Sequence, residues 1–313
     1  MTGMTVSNRV RPSEVATEQL ADLALRYLEQ IGVEFVFGVP GGAIEPLFDG
    51  LARSMRRGTI QPIVARHEAG AAFMADGYSR ESGKLGVCTA TTGPGATNLL
   101  TGVACAYQNE IPMLVITGQS ALPSFGRAAF QESSCTGIDT VDMFKTCTNY
   151  STLVSHPEQF EHKFVTAVMN AFGPRPGPVH LSIPLDVARA PWPAARPKYD
   201  LADLLRRPSS FDSVAVDRLE RELSVARRPV LLIGAGCVEA IAAILEFAAT
   251  RSIPFVTTPQ AKGYVHASHP LNKGVFGFAG HMSAAAALRE EAADLILALG
   301  TSFGEWTSAA WSE

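Results

Sequence analysis

Glu68 follows Arg66 and His67 where a strand-like segment passes into the small-residue run AGAAFMADGYSR. A carboxyl group packed at the start of such a run is desolvated, and a desolvated carboxyl suits proton exchange near neutrality. The same glutamate as the first residue of a helix would simply favour the helix dipole; residue types alone leave both readings standing. TGPGATN at 92–98 is a second chemical feature. Gly93 and Gly95 let backbone approach a ligand closely and Pro94 stiffens the loop, so it either cradles an anion or flat ring or is a plain turn. Gly234-x-Gly236 follows another apolar strand but lacks the third glycine and the acidic residue of a dinucleotide fingerprint, so a strand–helix turn and a phosphate contact both stay open there.

The elements that must carry these residues alternate. Leu20, Leu23, Tyr27 and Leu28 fall on one face of a helix over 17–30, with Thr17 as its cap and Gly32 as its stop. Strands are expected at 33–39, 61–65, 85–91, 113–118 and 179–184. Helices are expected after Gly42 through Phe48, over 68–82, and from 92–98 to about residue 108. Continuous apolar strands between helices predict a parallel sheet covered on both faces. A segment rich in Pro, Arg and Ala predicts a linker at 191–212. A second α/β unit then follows, with helices over 214–227 and 239–250 and strands at 229–236, 253–258 and 294–300.

The 313 residues are 47% hydrophobic and 18% charged, which suffices for a buried core and excludes disorder along the whole chain. A net charge of −4 without a basic block argues against nucleic acid as a partner. Five cysteines, odd in number and without a C-x-x-C pair, fit a reducing cytoplasm better than a disulfide scaffold. No uncharged apolar run reaches membrane-span length, and residues 1–12 form no signal peptide.

Taken in order, FGVPGG (37–42), RHEAGAAFMADGYSR (66–80), TGPGATNLLTGVACAY (92–107), IPMLVITGQ (111–119), AFQE (129–132) and RPGPVHLSIPLDV (175–187) closely resemble the thiamine-diphosphate enzymes of the acetolactate (acetohydroxyacid) synthase type. The resemblance implies two three-layer α/β domains with mainly parallel sheets. A flexible N-terminus at 1–12 precedes a pyrimidine-binding domain at 13–190, and an incomplete Rossmann-like central domain occupies 213–313. It implies that Glu68 hydrogen-bonds the aminopyrimidine ring of thiamine diphosphate, whose own nitrogen then takes the thiazolium C2 proton; the cofactor adds to a 2-keto acid and CO₂ leaves. Pro40, Gly41 and Gly42 match the loop near the reactive end of that cofactor. Gly93, Pro94 and Asn98 match the loop on its pyrimidine ring. Phe130 and Gln131 match a segment over the reaction centre.

The chain departs from the synthase pattern at several points. Ala69 and Phe73 replace a Gln and a His, and Asn149-Tyr150 replaces a Lys-His pair. GVFGFAGH (274–281) takes the place of a Gly-Met-x-Gly-Met-His-Gly-like stretch, and GTSFGEWTS (300–308) lacks the Arg-Phe-Asp-Asp-Arg-like run that accompanies FAD, leaving FAD and acetolactate as product doubtful and another acyl acceptor open. The Gly-Asp-Gly signature of a diphosphate and Mg²⁺ domain is also missing, so no metal ligand is assigned in this chain. The resulting expectation is the N-terminal part or subunit of a 2-keto acid decarboxylase/carboligase, inactive as the isolated chain. A second polypeptide would supply the diphosphate/Mg²⁺ domain, pyruvate would be the donor, and the chain would form a homodimer or higher oligomer. The alternatives are a non-catalytic regulatory or scaffold homologue and an inactive truncated fragment.

Overall fold

The computed structural model describes residues 18–192, 196–206 and 211–311. The expected flexible segment 1–12 and the Thr17 cap lie outside these. The chain divides into two compact units, Met1–Pro208 and Ser209–Glu313.

The first unit runs α1 (Leu20–Gln30), β1 (Phe35–Gly38), α2 (Glu45–Arg56), β2 (Gln61–Val64), α3 (Glu68–Ser82), β3 (Gly86–Ala90), α4 (Pro94–Gln108) and β4 (Met113–Gln119). It continues with α5 (Thr140–Lys145), β5 (Tyr150–Leu153), α6 (Phe160–Ala171), β6 (Pro178–Pro184), α7 (Leu185–Ala188) and α8 (Leu201–Leu205). The strands form one sheet in the order β2-β1-β3-β4-β6-β5, and every neighbouring pair is parallel. Successive strand residues serve opposite faces. Val87 and Leu114 join a core with α1, α2 and α6, whereas Cys88 and Val115 join a core with α3, α4 and α5. This is the helix–sheet–helix sandwich that continuous apolar strands imply. β3, β4 and β6 are buried along their whole length.

Helix α1 buries Leu20, Leu23, Tyr27 and Leu28, and Gly32 at φ 71° turns the chain out of it. On the opposite side α3 and α4 approach closely at Gly102. A Cβ on Gly102 would come 2.5 Å from the Ala72 Cβ and 3.2 Å from the α3 backbone. Gly102→Ala is therefore expected to lower stability by about 1–3 kcal/mol despite alanine's better helix propensity; a urea denaturation midpoint equal to or above that of the parent would contradict this packing.

Part of the segment expected to be a linker, 198–205, is fastened to the first unit. The Tyr27 hydroxyl donates to Glu161 Oε1 (2.7 Å), the Lys198 backbone N–H donates to the same oxygen (2.9 Å), and Lys198 Nζ pairs with Glu161 Oε2 (3.0 Å). Burial, with the neighbouring Glu161 carboxylate adding to it, pushes the Tyr27 phenol well above its ordinary range. Leu201 of α8 is fully buried in the core of the first unit. A buried carboxylate needs such partners, and supplying them ties residues 198–205 across α1 and α6.

The second unit runs α9 (Ser213–Val225), β7 (Pro229–Ile233), α10 (Ile241–Arg251), β8 (Phe255–Thr257), β9 (Asn272–Val275), α11 (Met282–Ala287) and β10 (Leu295–Leu299). Its four strands are parallel in the order β10-β7-β8-β9. At the Gly234-x-Gly236 turn the Gly236 N–H donates to the Gly300 carbonyl (2.9 Å). The glycines there let the loops after β7 and β10 touch, which accounts for them as a strand–helix turn.

Candidate active site

In the first sheet the path from β1 to β2 steps one way and the path from β3 to β4 steps the other. The order reverses between β1 and β3, and open parallel sheets take ligands beyond the carboxyl ends of their strands at such a point. Pro40, Gly41 and Gly42 follow β1, and Thr91–Asn98 follow β3. Glu68 follows β2, and Phe130 and Gln131 lie in the loop after β4. The fold thus delivers every sequence-predicted site residue to one edge of one sheet.

Their contacts are specific. The His67 imidazole caps α3, its Nδ1 accepting the Ala69 N–H (3.1 Å), so Glu68 begins the helix on a defined turn. Asn98 Nδ2, one turn into α4, donates to Glu68 Oε2 (2.9 Å). Glu68 is half-buried in this chain, not enclosed as its neighbours' small size suggests. Ala71 and Ala72 turn into the core, while Gly70, Phe73 and Met74 stay exposed. The loops beside Glu68 are packed at glycines. A Cβ on Gly41 would meet Thr91 Cβ at 2.6 Å, and one on Gly95 would meet Thr91 Cγ2 at 2.8 Å. The Ala43 N–H donates to Thr91 Oγ1 (3.3 Å), which draws the loop after β1 against the loop after β3. Gly42 faces open space.

Gly93 adopts φ 61°, ψ −121°, a conformation suited to glycine, and a Cβ there would lie 2.9 Å from the Gln131 backbone oxygen. Gln131 itself has φ 56°. Beneath this contact lies a buried polar cluster that sequence reasoning passed over. Ser133 Oγ pairs with Thr92 Oγ1 (2.7 Å) and accepts from the Gly93 N–H and Gln119 Nε2 (both 3.2 Å). The Thr92 hydroxyl donates to the Gln131 carbonyl (3.0 Å), and Gln119 Oε1 accepts the Ser120 N–H (2.9 Å) and Ser133 N–H (3.2 Å). The only signal in the sequence was a threonine and a glutamine at the ends of two apolar strands. Ser133→Ala strips several buried groups of a shared partner and is expected to lower stability by about 1–3 kcal/mol, read as the thermal midpoint, with Ser133→Thr closer to the parent.

Glu132 organises the same loop from outside. Hydrogen bonds from Ser134, Thr136 and the Gly126 N–H hold its carboxyl down at about 2. Phe130 is 87% exposed, so this chain presents its ring without packing it. Two of the departures also have places. Asn149 Nδ2 donates to the Arg175 carbonyl (2.8 Å) and sits against Gly177, a tie between loops. Phe73 is 45% exposed on α3.

The described residues gather no group of three or more His, Cys, Asp or Glu that could hold a metal ion. No helix among them is long and apolar enough to cross a membrane, and all five cysteines are free.

Comparison with known proteins gives this geometry a family. Residues 18–142 match the thiamine pyrophosphate enzyme N-terminal TPP binding domain, and residues 216–313 match the central domain of the same enzymes. The chain is 36% identical to the acetolactate synthase large subunit of Corynebacterium glutamicum over 310 residues, 97% of this chain and 47% of that protein. It is 37% identical to the acetolactate synthase isozyme 1 large subunit of Escherichia coli, over 91% of this chain and 49% of that protein. A probable acetolactate synthase large subunit of Methanocaldococcus jannaschii is 35% identical, over 91% and 47%. The chain spans about half the length of the relatives it matches. With a glutamate and its asparagine partner set among glycine-bearing loops where the strand order of a TPP-binding-domain sheet reverses, the chain belongs to the thiamine pyrophosphate enzymes and carries their N-terminal and central domains.

Proposed function

We propose that this chain is the N-terminal part or subunit of an acetolactate synthase-like decarboxylase/carboligase that uses thiamine diphosphate and takes a 2-keto acid, pyruvate, as donor. The observation that carries this reading is the Glu68 carboxylate. One of its oxygens, Oε2, is held by Asn98, and the other, Oε1, lies beside Gly95, 3.6 Å from where a Cβ on that glycine would sit. Gly41 and Gly95 both pack against Thr91, which draws the loops after β1 and β3 close together beside Glu68, where an aminopyrimidine ring would bind. Thiamine diphosphate, when bound, supplies the carbon nucleophile that adds to the keto acid and expels CO₂. This chain's own part is to hold and share a proton at the ring nitrogen through Glu68, to fix Glu68 by Asn98 and the His67 cap, and to present Phe130 and Gln131 over the reaction centre.

In this reading a second polypeptide supplies the diphosphate and Mg²⁺ domain, and the isolated chain does not turn over. Two features support it. Glu68 is only half-buried, whereas proton exchange with a cofactor favours a dry site. Gly70, Phe73, Met74 and Gly77, spaced i, i+3, i+4 and i+7, leave an uncharged stripe on α3 next to it, with open space beside both glycines. A covering domain and a second copy of this chain would close that surface, in the cytoplasm where free cysteines persist.

Native mass spectrometry on the tagged chain recovered from its host tests the reading. A complex with a different polypeptide and thiamine diphosphate is the expected result. A bare homo-oligomer without thiamine diphosphate would sink the split enzyme and leave a fragment or a non-catalytic protein.

A further inference from the structure

The second unit holds a cavity of about 320 Å³ beside its edge strand β9, between the crossover from β8 and the one leading into α11. Lys262, Lys273, His281 and Asn272 supply its polar groups, and Val265 and Val275 are among its apolar walls. The acceptor atoms of these groups face the protein's own backbone. Asn272 Oδ1 accepts the Gly274 N–H (2.8 Å), which leaves its amide hydrogens as donors. His281 Nδ1 accepts the Val275 N–H (2.9 Å), so the neutral ring carries its proton on Nε2. Gly274, at φ 110°, lies so close beneath the imidazole that a Cβ there would come within 2.7 Å of Nδ1. Ser283 Oγ donates to the Lys273 carbonyl (2.8 Å), bracing the strand that carries the lysine.

Among the described residues neither Lys262 nor Lys273 forms an ion pair, and no Asp or Glu lines the cavity. A concave site with two ammonium groups, an imidazole N–H, an amide NH₂ and no carboxylate is complementary to an anion. Phosphate suits it better than a carboxylate, because several terminal oxygens can engage the separate donors at once. The cavity is also larger than a bare phosphate needs, and part of its lining is apolar. It lies at the β8–β9 edge, away from the β7–β10 reversal at which a doubly wound sheet takes a dinucleotide.

We propose that the second unit binds a compact phosphate-bearing small molecule in the cavity formed by Lys262, Lys273, Asn272 and His281. This inference is independent of the chemistry proposed for the first unit.

Calorimetric titration of the full chain with inorganic phosphate and with AMP, at constant ionic strength, tests it. Saturable binding is expected, weakened at least about tenfold in Lys262→Gln/Lys273→Gln. Both lysines are exposed and unpaired, so the double variant should melt with the parent. Equal affinity for the two probes assigns the site to free phosphate, and tighter AMP binding assigns it to the phosphate of a larger molecule. The absence of saturable binding by either probe, binding lost to an equal ionic strength of KCl, or unchanged affinity in the double variant would each overturn the proposal.

Discussion

In the thiamine-diphosphate complex proposed above, Glu68→Ala and Glu68→Gln are both expected to lower turnover by about 100- to 10,000-fold, the range for a group that moves a proton. The glutamine variant separates charge from shape. Its amide oxygen still accepts from Asn98 Nδ2, so the side chain keeps its place while losing its proton affinity. Stability should hardly change. Glu68 is half-buried, and its favourable position at the first turn of α3 is worth only about 0.3–1 kcal/mol. Turnover and the thermal midpoint are therefore measured on the same preparations. A loss of turnover at constant midpoint assigns Glu68 to the chemistry. Turnover that survives both substitutions removes the glutamate from the reaction and leaves it a helix-start carboxylate.

The prediction can be made from sequence because the positions that matter lie where local rules are strict. α3 begins at Glu68 and ends at Ser82, as its small-residue pattern indicates, since His67 caps one end and Gly83 at φ 69° closes the other. The parallel sheet was legible because β3, β4 and β6 are apolar without alternation. Less legible were elements whose reason lies elsewhere in the chain. β5 is a four-residue, half-buried edge strand, too short to show a period, and it forms because β6 offers it a partner. Ser133, Thr92 and Gln119 are ordinary polar residues far apart in sequence, and only the fold brings them to one buried cluster behind Gly93. The exposure of Glu68 was likewise hidden. The small residues after it indicated close packing, but α3 turns only some of them inward.

His180 is the sharpest case of a residue whose setting the sequence conceals, and it carries the second large prediction. It interrupts the apolar strand β6, and nothing in VHLSIP says what receives its ring. In the fold its Nε2 meets Thr117 Oγ1 (2.8 Å), its Nδ1 meets Ser151 Oγ (2.9 Å), and Phe144 stacks on it at 4.1 Å. Burial pushes its pKa from 6.5 down to about 3, because the charged ring has no water in which to form. Between those two values the unfolded chain holds a proton that the folded chain does not. Stability is therefore fully present above about pH 6.5 and falls by about 1.4 kcal/mol per pH unit below it. From pH 6.5 to about pH 5 the loss amounts to about 2 kcal/mol. Carboxylates held low in the fold, such as Glu132, add their own loss only as the pH falls past their ordinary 4.5, so the upper window isolates the histidine. His180→Gln can keep one donor and one acceptor for Ser151 and Thr117 but cannot titrate. It should start less stable at neutral pH, and its urea midpoint should then stay nearly level down to about pH 5 while the parent's falls. Parallel pH dependences for the two proteins would mean that His180 takes up its proton in the folded state, and that the core beneath β6 is open to water.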